Sequence, residues 1–286
     1  MDKNTNKLYA VGQQIIFGLL ASIFFISAML SNIYQAINYE NNFKILAIVC
    51  GSILIILLFK NKKTNLNMNH SLVENLEKIK STLPASVTLV AVSKTKPIFD
   101  IEILYQAGQR IFGENRVEEL VKKHADLPHD IDWHMIGHLQ SKKVKKIAPF
   151  IGLIHGVDSM KLLEEINKQA KKNERVIDCL LQFHIAKEAT KYGLSLSEFN
   201  EFLKSKKFNE LTNISVKGVM GMATFTKDEK VVRKEFQSLI DISKIVKNQF
   251  NTASIISMGM SGDYLLAVEE GSTMIRVGSS IFGVRK

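Results

Sequence analysis

The chain has 286 residues, 46% of them hydrophobic, and carries 38 Lys and Arg against 28 Asp and Glu. That length accommodates one or two domains with a hydrophobic core and excludes a peptide-scale scaffold. The two cysteines exclude a disulfide framework and are typical of a reducing compartment. Charges are distributed unevenly, because residues 1–69 hold only six of the basic and two of the acidic residues. The chain therefore divides into an apolar N-terminal part and a charged remainder.

Two apolar runs dominate the first sixty residues. The run 11–30 has twenty residues without a charge, enough for a helix of about 30 Å, the thickness of a bilayer's hydrocarbon core. The run 43–59 has seventeen residues, with Lys44 at its edge, and is at the short end of the spanning range. Lysines flank the outer sides of both runs and are absent between them, which predicts that both ends of the hairpin face the cytoplasm. We therefore expect a two-helix membrane anchor over 1–60, followed by a polar linker over 61–69.

Two other interpretations of these runs are open, a cleaved signal peptide and a buried core hairpin. The first run is long for the apolar segment of a signal peptide, and a second run follows it. Neither run shows the polar stripe of an amphipathic helix. The pattern favours a membrane location, with the following domain on the cytoplasmic side.

Residues 70–286 alternate apolar runs of β type with amphipathic stretches, beginning with a helix at Ser71–Leu83. Near-continuous apolar strands that alternate with helices are typical of the α/β class, with a parallel sheet covered by helices. Eight strands in about 217 residues match the lower size limit of a (β/α)8 TIM barrel. A doubly wound open sheet is the alternative, but no GxGxxG turn follows the first strand. The predicted strands are Val87–Ser93, Arg110–Asn115, Asp132–His138, Leu153–Asp158, Val176–Ile185, Val216–Ala223, Ser254–Met260 and Met274–Ser279.

The ends of three predicted strands indicate a binding site. In a TIM barrel, functional residues gather where the strands end at their carboxyl side. Lys94 follows an apolar strand, and burial there would favour the neutral amine that attacks an aldehyde to form a Schiff base. The seventh and eighth strands end in SMGMSGD and RVGSS, at the positions where barrels commonly bind phosphate. A lysine after a strand is more often a surface charge and a Gly/Ser turn more often only a turn, so the prediction depends on their combination.

Six segments of residues 70–286 resemble, in the same order, the YggS/PROSC family of pyridoxal phosphate homeostasis proteins. They are LVAVSKTKP, AGQRIFGEN, WHMIGHLQSKK, VKGVMGMA, SMGMSGD and GSTMIRVGSSIFG. The resemblance implies a barrel like the N-terminal domain of alanine racemase, in a protein that regulates the supply of pyridoxal 5'-phosphate (PLP) without an established reaction.

The resemblance also implies a set of cofactor contacts. Lys94 would carry PLP covalently as a Schiff base, with Asn115 and His134 beside the ring. Arg276 would face the pyridine nitrogen and keep it unprotonated, which weakens the ring as an electron sink. The residues implied around the phosphate are Ser257, Gly259, Met260, Ser261, Gly278 and Ser279.

Three positions depart from the family pattern. His184 stands where an Asn is usual, Lys142 replaces a common Asn, and Gly262 occupies a position that is frequently polar. The membrane hairpin is also outside the pattern. These departures leave the cofactor assignment in place and concern the surroundings of the ring and the cellular placement.

A PLP-dependent amino-acid racemase or decarboxylase is the alternative function. Racemisation needs a second acid–base group, which alanine racemases take from a separate β domain of a partner chain. This sequence ends at Lys286, directly after the eighth strand, and we therefore expect a carrier and not an enzyme. The expected partners are PLP, apo PLP-dependent enzymes and the membrane, and we expect a monomer.

Metal and nucleic-acid sites are not predicted. His134 and His138 lie on one face of their predicted strand, but no Cys or carboxylate with ligand spacing accompanies them. The basic cluster is interpreted as a solvated helix face and not as a nucleic-acid surface; it comprises Lys142, Lys143, Lys145 and Lys146.

Overall fold

The computed structural model describes residues 22–23, 26–27, 50–54, 71–188 and 191–283, and the chain forms two units, Met1–Asn67 and Met68–Lys286. In the first unit, the described residues are helical. The remainder of the predicted spans 11–30 and 43–59, and all of the linker 61–69, lie outside the described residues. Among the helices that the structure describes, none has the length and apolar character needed to cross a membrane.

The second unit is a closed barrel of eight parallel strands, in which each strand pairs with the next and β8 pairs with β1. The predicted (β/α)8 TIM barrel is therefore confirmed, and closure excludes the doubly wound open sheet. The strands are β1 Thr88–Val92, β2 Ile111–Glu114, β3 Asp132–Met135, β4 Leu153–Val157, β5 Ile177–Gln182, β6 Ile214–Met220, β7 Ile255–Ser257 and β8 Met274–Val277.

Helices cover the outside of the barrel, and a helix over residues 71–81 precedes β1, as predicted. Side-chain caps fix the start of several of them: Asp228 accepts from the backbone of Lys230 and Val231, and Ser195 forms a capping box with Glu198. The helices after β1 to β8, in order, are Ile98–Gln106, Val117–Asp126, Val144–Ile147, Met160–Lys172, Leu196–Lys204 with Lys206–Asn209, Glu229–Gln249, Tyr264–Glu269 and Ser279–Phe282.

Two cores hold the barrel together. The larger lies between the strands and the surrounding helices and includes the fully buried Trp133. The smaller is formed by side chains that point to the barrel axis; its buried members are Val90, Leu153, Leu180, Met220 and Met274. Bulky apolar residues normally fill a TIM barrel interior. Polar side chains at inward positions therefore indicate a site.

All eight predicted strands extend too far at their carboxyl ends, by one to three residues. The reason is that these residues leave the sheet to form turns and helix starts. Met260, for example, lies in a turn in which the Asp263 N–H donates to the Met260 oxygen at 3.1 Å. Ser279 begins the helix Ser279–Phe282. The overextended residues are thus the ones that build the mouth of the barrel.

Candidate cofactor site at the carboxyl ends of the strands

Lys94 is half-buried in a turn directly after β1. The Lys96 N–H donates to the Ser93 oxygen at 2.9 Å, which closes the turn. Thr95 has a φ of 64°, in the left-handed region that a β-branched residue rarely adopts. Its N–H donates to Glu119 Oε1 at 2.6 Å, and this contact helps to hold the strained conformation. Because strained backbone clusters at functional sites, the turn marks Lys94 as a candidate functional residue.

A buried charge cluster, which we call the Lys123 clamp, contacts this turn through the backbone of Ser93 and Thr95. Lys123 is only 4% exposed, and its Nζ donates to Glu114 Oε1 and to Glu119 Oε1, both at 2.7 Å, and to the Ser93 oxygen at 2.8 Å. The Ser93 hydroxyl also donates to Glu114 Oε1, at 2.6 Å. Burial raises the pKa of the Glu114 carboxyl, and the Lys123 ammonium opposes that rise. The clamp ties the ends of β1 and β2 to the helix that follows β2.

Asn115 follows Glu114 at the end of β2. Its side-chain Oδ1 atom is buried and has no hydrogen-bond partner among the described residues. Buried amide oxygens are nearly always hydrogen-bonded in native structures. A bound ligand that donates a hydrogen bond to this oxygen would explain why it is buried without a partner.

The ends of β7 and β8 converge around the Ser261 side chain. Ser261 Oγ accepts from the Gly278 N–H at 3.1 Å and from the Ser280 N–H at 3.3 Å. Gly259 has a φ of 94°, a conformation that only glycine adopts at no steric cost. The Met260 N–H already donates to Asp263 Oδ1 at 2.5 Å. The convergence brings small residues and backbone donors together, the composition that an anion cradle requires.

The Lys94 turn and this cradle are neighbours because β1 pairs with β8. In that pairing Ala91 lies opposite Val277, which places the residues after both strands at the same edge. Gly278 lies against Val92, the last residue of β1. The structure thus brings together the predicted reactive amine and the predicted phosphate segments.

The barrel interior below the cradle contains Arg276, which is buried on β8. Its Nη1 donates to Ser257 Oγ at 2.6 Å and its Nη2 to the Gly221 oxygen at 3.1 Å. Burial lowers the pKa of Arg276 to about 10, so the guanidinium stays charged at neutral pH. Ser257 therefore lies in the interior beside Arg276, while the other predicted phosphate residues lie at the mouth.

The contacts of Arg276 continue through two histidines, forming what we call the Arg276–Asp132 relay. Ser257 Oγ lies 3.1 Å from His155 Nδ1, and His155 Nε2 lies 3.0 Å from His134 Nδ1. His134 Nε2 lies 3.3 Å from Asp132 Oδ2. His155 is fully buried, and desolvation, with smaller contributions from His134 and Arg276, lowers the pKa of its imidazole well below the usual value.

The sequence predicts His134, Ser257 and Arg276 as site residues but does not predict His155, Asp132 or the Lys123 clamp. A signal for His155 exists, because it is two residues after Leu153 on an apolar strand and so shares the inward face. Asp132 is two residues before His134 and shares its face for the same reason. Polar residues at inward positions of predicted barrel strands would have identified both.

The rim of the mouth carries a second group of polar residues. His138 Nδ1 lies 3.2 Å from Asp158 Oδ2, and its ring stacks on Tyr192 with centroids 4.3 Å apart. His184, at the position where the family usually has Asn, places Nε2 3.0 Å from the Glu188 oxygen. It therefore contacts its own loop.

Two further expectations from the sequence concern the basic cluster at Lys142–Lys146 and metal binding. Lys143 and Lys146 form ion pairs with Glu118 at 3.1 and 3.8 Å, and Val144 between them is buried. Over the described ranges, no group of three or more His, Cys, Asp or Glu side chains is arranged to hold a metal ion.

Comparisons with known proteins identify the family. The alanine racemase N-terminal domain family matches residues 69–286. The pyridoxal phosphate homeostasis protein of Vibrio alginolyticus is 36% identical over 230 residues, 75% of this chain and 98% of that protein. Its namesake in Aquifex aeolicus is 38% identical over 200 residues, 69% of this chain and 87% of that protein. The chain belongs to the family of pyridoxal phosphate homeostasis proteins. The resemblance of its six segments is confirmed.

Solved structures agree with this assignment. PipY of Synechococcus elongatus, described with PLP bound, matches with a TM-score of 0.68 and 36% identity over 74% of this chain and 100% of that chain. Alanine racemase of Clostridium difficile matches with a TM-score of 0.63 at 15% identity, over 76% of this chain and 56% of that chain, and shows the fold alone. Residues 1–68 of the chain lie outside the matched family region.

Proposed function

We propose that this protein binds PLP covalently at Lys94 and serves as a carrier that buffers the cofactor. The observation that supports it most strongly is the neighbourhood of the Lys94 turn and the Ser261 cradle at one edge of the barrel. PipY, which is 36% identical, has been solved with PLP bound. A reactive amine beside an anion cradle is the arrangement that an aldehyde carrying a phosphate requires.

The residues present fit PLP. Small residues at the cradle leave room for the phosphate, and the Gly278 and Ser280 N–H groups, which here donate to Ser261 Oγ, would be the donors that a phosphate competes for. The orphaned Asn115 oxygen lies at the end of a neighbouring strand. When bound, PLP would supply an aldehyde that condenses with the neutral Lys94 amine, with loss of one water. Arg276 would face the ring nitrogen with a group that can only donate hydrogen bonds.

The role of Arg276 favours a carrier over an enzyme. A charged guanidinium that donates to the ring nitrogen would keep that nitrogen unprotonated, which limits the ring's capacity to accept electrons from a substrate carbanion. Burial and the fixed contacts to Ser257 and Gly221 prevent the side chain from turning away. The site therefore suits reversible storage of the aldehyde.

A racemase-like enzyme is the second candidate, and the His138–Asp158 pair at the rim is the observation that favours it. An imidazole held by a carboxylate can act as a general base near neutral pH. The two candidates differ in whether a bound amino acid loses its α-hydrogen.

One experiment compares the two candidates directly. The PLP-loaded protein is mixed with an apo PLP-dependent enzyme, and the recovery of that enzyme's activity is followed over time. In parallel, alanine is incubated with the loaded protein in D₂O and α-deuteration is followed by NMR. The carrier predicts recovery in the first assay and no deuteration above that of free PLP in the second. Deuteration without transfer to the apo-enzyme would overturn the carrier in favour of the enzyme.

We also propose that residues 1–60 tether the barrel to the cytoplasmic face of a membrane. The support is the two apolar runs and the lysines outside them, in a segment that the family match does not cover. We expect the full chain to stay in the membrane fraction after carbonate extraction, and residues 69–286 to remain soluble and bind PLP. Extraction of the full chain by carbonate would contradict the tether, and insolubility of the fragment would make the N-terminal segment part of the fold.

A further inference from the structure

The Arg276–Asp132 relay connects the cofactor site to solvent at the opposite end of the barrel. Arg276 is buried, whereas the Asp132 side chain, on the first residue of β3, is 47% exposed. The four contacts between them span four strands. Such a polar chain is unusual in an interior that barrels normally fill with branched apolar side chains.

The Arg276 end of the relay leaves two hydrogen-bond directions open. A guanidinium can only donate, so Ser257 Oγ accepts from Arg276, and the hydroxyl can then either donate its own hydrogen to His155 Nδ1 or accept a second hydrogen bond from it. The lowered pKa of His155 keeps this imidazole neutral, with a single N–H. In the direction in which Nδ1 accepts from Ser257, the hydrogen lies on Nε2 and is donated to His134 Nδ1.

The Asp132 end selects this direction. An ionised carboxylate can only accept, so a neutral His134 carries its hydrogen on Nε2, donates it to Asp132 and accepts at Nδ1 from His155. The His134 hydrogen bond lowers the pKa of the Asp132 carboxyl, which keeps it ionised at neutral pH. The nearby Asp178 carboxyl is paired instead with Lys217, at 3.7 Å. A Cβ atom at Gly152 would overlap the Asp132 carboxylate, so the backbone leaves room for it.

We propose that Asp132 is a positioning residue for the cofactor site: by accepting the Nε2–H of His134, it selects one hydrogen-bond direction in the relay and keeps Ser257 and Arg276 oriented towards PLP. The proposal rests on the proposed function for its effect on the cofactor. If His134 carried its hydrogen on Nδ1, His155 would accept at Nε2 and donate from Nδ1 to Ser257 Oγ. Ser257 Oγ would then accept from both His155 and Arg276, and its own hydrogen would lose its acceptor in the relay, which weakens the support of Arg276 through Ser257.

The test uses the full chain with Asp132→Asn, whose amide has the same size but can also donate to His134. Asp178→Asn is the matched control, because that carboxylate is similarly exposed, at 40% against 47%, and interacts with Asp132 only through its charge, with no hydrogen bond to the relay. In both variants and the wild type, ¹⁵N-histidine NMR without PLP reports the tautomers of His134 and His155. After loading with PLP, the visible spectrum and the rate of PLP release are measured, with thermal unfolding as the check on folding.

We expect the wild type to show the Nε2–H tautomer at both histidines. Asp132→Asn should change that tautomer, shift the visible band and speed PLP release about fivefold, the consequence of one lost hydrogen bond, while Lys94 still carries the cofactor. Asp178→Asn and an Asp132→Glu variant that restores the carboxylate should behave as the wild type. Unchanged tautomers, or an equal spectral shift in Asp178→Asn, would overturn the proposal. Failure of the wild type to bind PLP would overturn the proposed function, while the tautomers would still decide the role of Asp132.

Discussion

A Lys94→Ala variant loaded with PLP and passed through a desalting column is expected to lose the near-visible absorbance that the wild type retains. The alanine side chain has no nitrogen to condense with the aldehyde, so only the non-covalent contacts of the Ser261 cradle and Arg276 remain. We therefore expect complete loss of the band and retention of weak, rapidly reversible binding. The absorbance spectrum before and after desalting measures both.

Lys96→Ala is the matched control for this variant. Lys96 lies two residues away, directly after the same turn, and its Nζ is held by the Phe282 oxygen, to which it donates at 2.8 Å. Its removal should leave the absorbance band intact. A coloured Lys94→Ala protein, or loss of colour in Lys96→Ala alone, would contradict the assignment of the amine.

Lys123→Met is expected to destabilise the barrel by about 3–5 kcal/mol, since it leaves Glu114 with no counter-ion at a fully buried position. Removing the ammonium raises the pKa of Glu114 further, because the Lys123 ammonium opposes the rise that burial causes. The loss is then full at pH values above this pKa and shrinks as the pH falls through it, when the folded protein protonates Glu114. Chemical denaturation at several pH values measures this loss.

Two further variants separate the buried ion pair from a general effect at this helix. Lys122→Met changes the exposed neighbour and should alter the free energy of unfolding by less than about 0.5 kcal/mol. The double variant Glu114→Gln with Lys123→Met removes both charges and should recover much of the loss. A double variant as unstable as Lys123→Met would show that the packing of the lysine stem, and not the charge of Glu114, is the cause.

The fold was predictable because each of its elements carries a local signal. Buried parallel strands are apolar on both faces, so all eight are visible as short apolar runs between amphipathic stretches. The predicted strands end too late because an apolar run does not show where the hydrogen bonding between strands stops. The carboxyl end of a strand is set by contacts outside the run, such as the hydrogen bond from the Met260 N–H to Asp263 Oδ1.

Residues of the site could be predicted only where the residue type itself suggests a chemical function. Lys94 and the Gly- and Ser-rich ends of β7 and β8 were found in this way, and their roles as PLP contacts stay predictions. Lys123 and His155 were not found, because their importance depends on partners from other strands. Ser257, for instance, lies 102 residues from His155 in the sequence. Such pairings are set by the closure of the barrel.

The most direct measurement of the central claim is borohydride reduction of the PLP-loaded full chain, followed by proteolysis and mass spectrometry of the labelled peptide. Reduction converts the Schiff base into a stable secondary amine, so the label marks the nitrogen that held the aldehyde. We predict a single pyridoxyl phosphate adduct on Lys94 in the segment LVAVSKTKP. An adduct on another lysine, or no adduct in protein that has taken up PLP, would contradict the account.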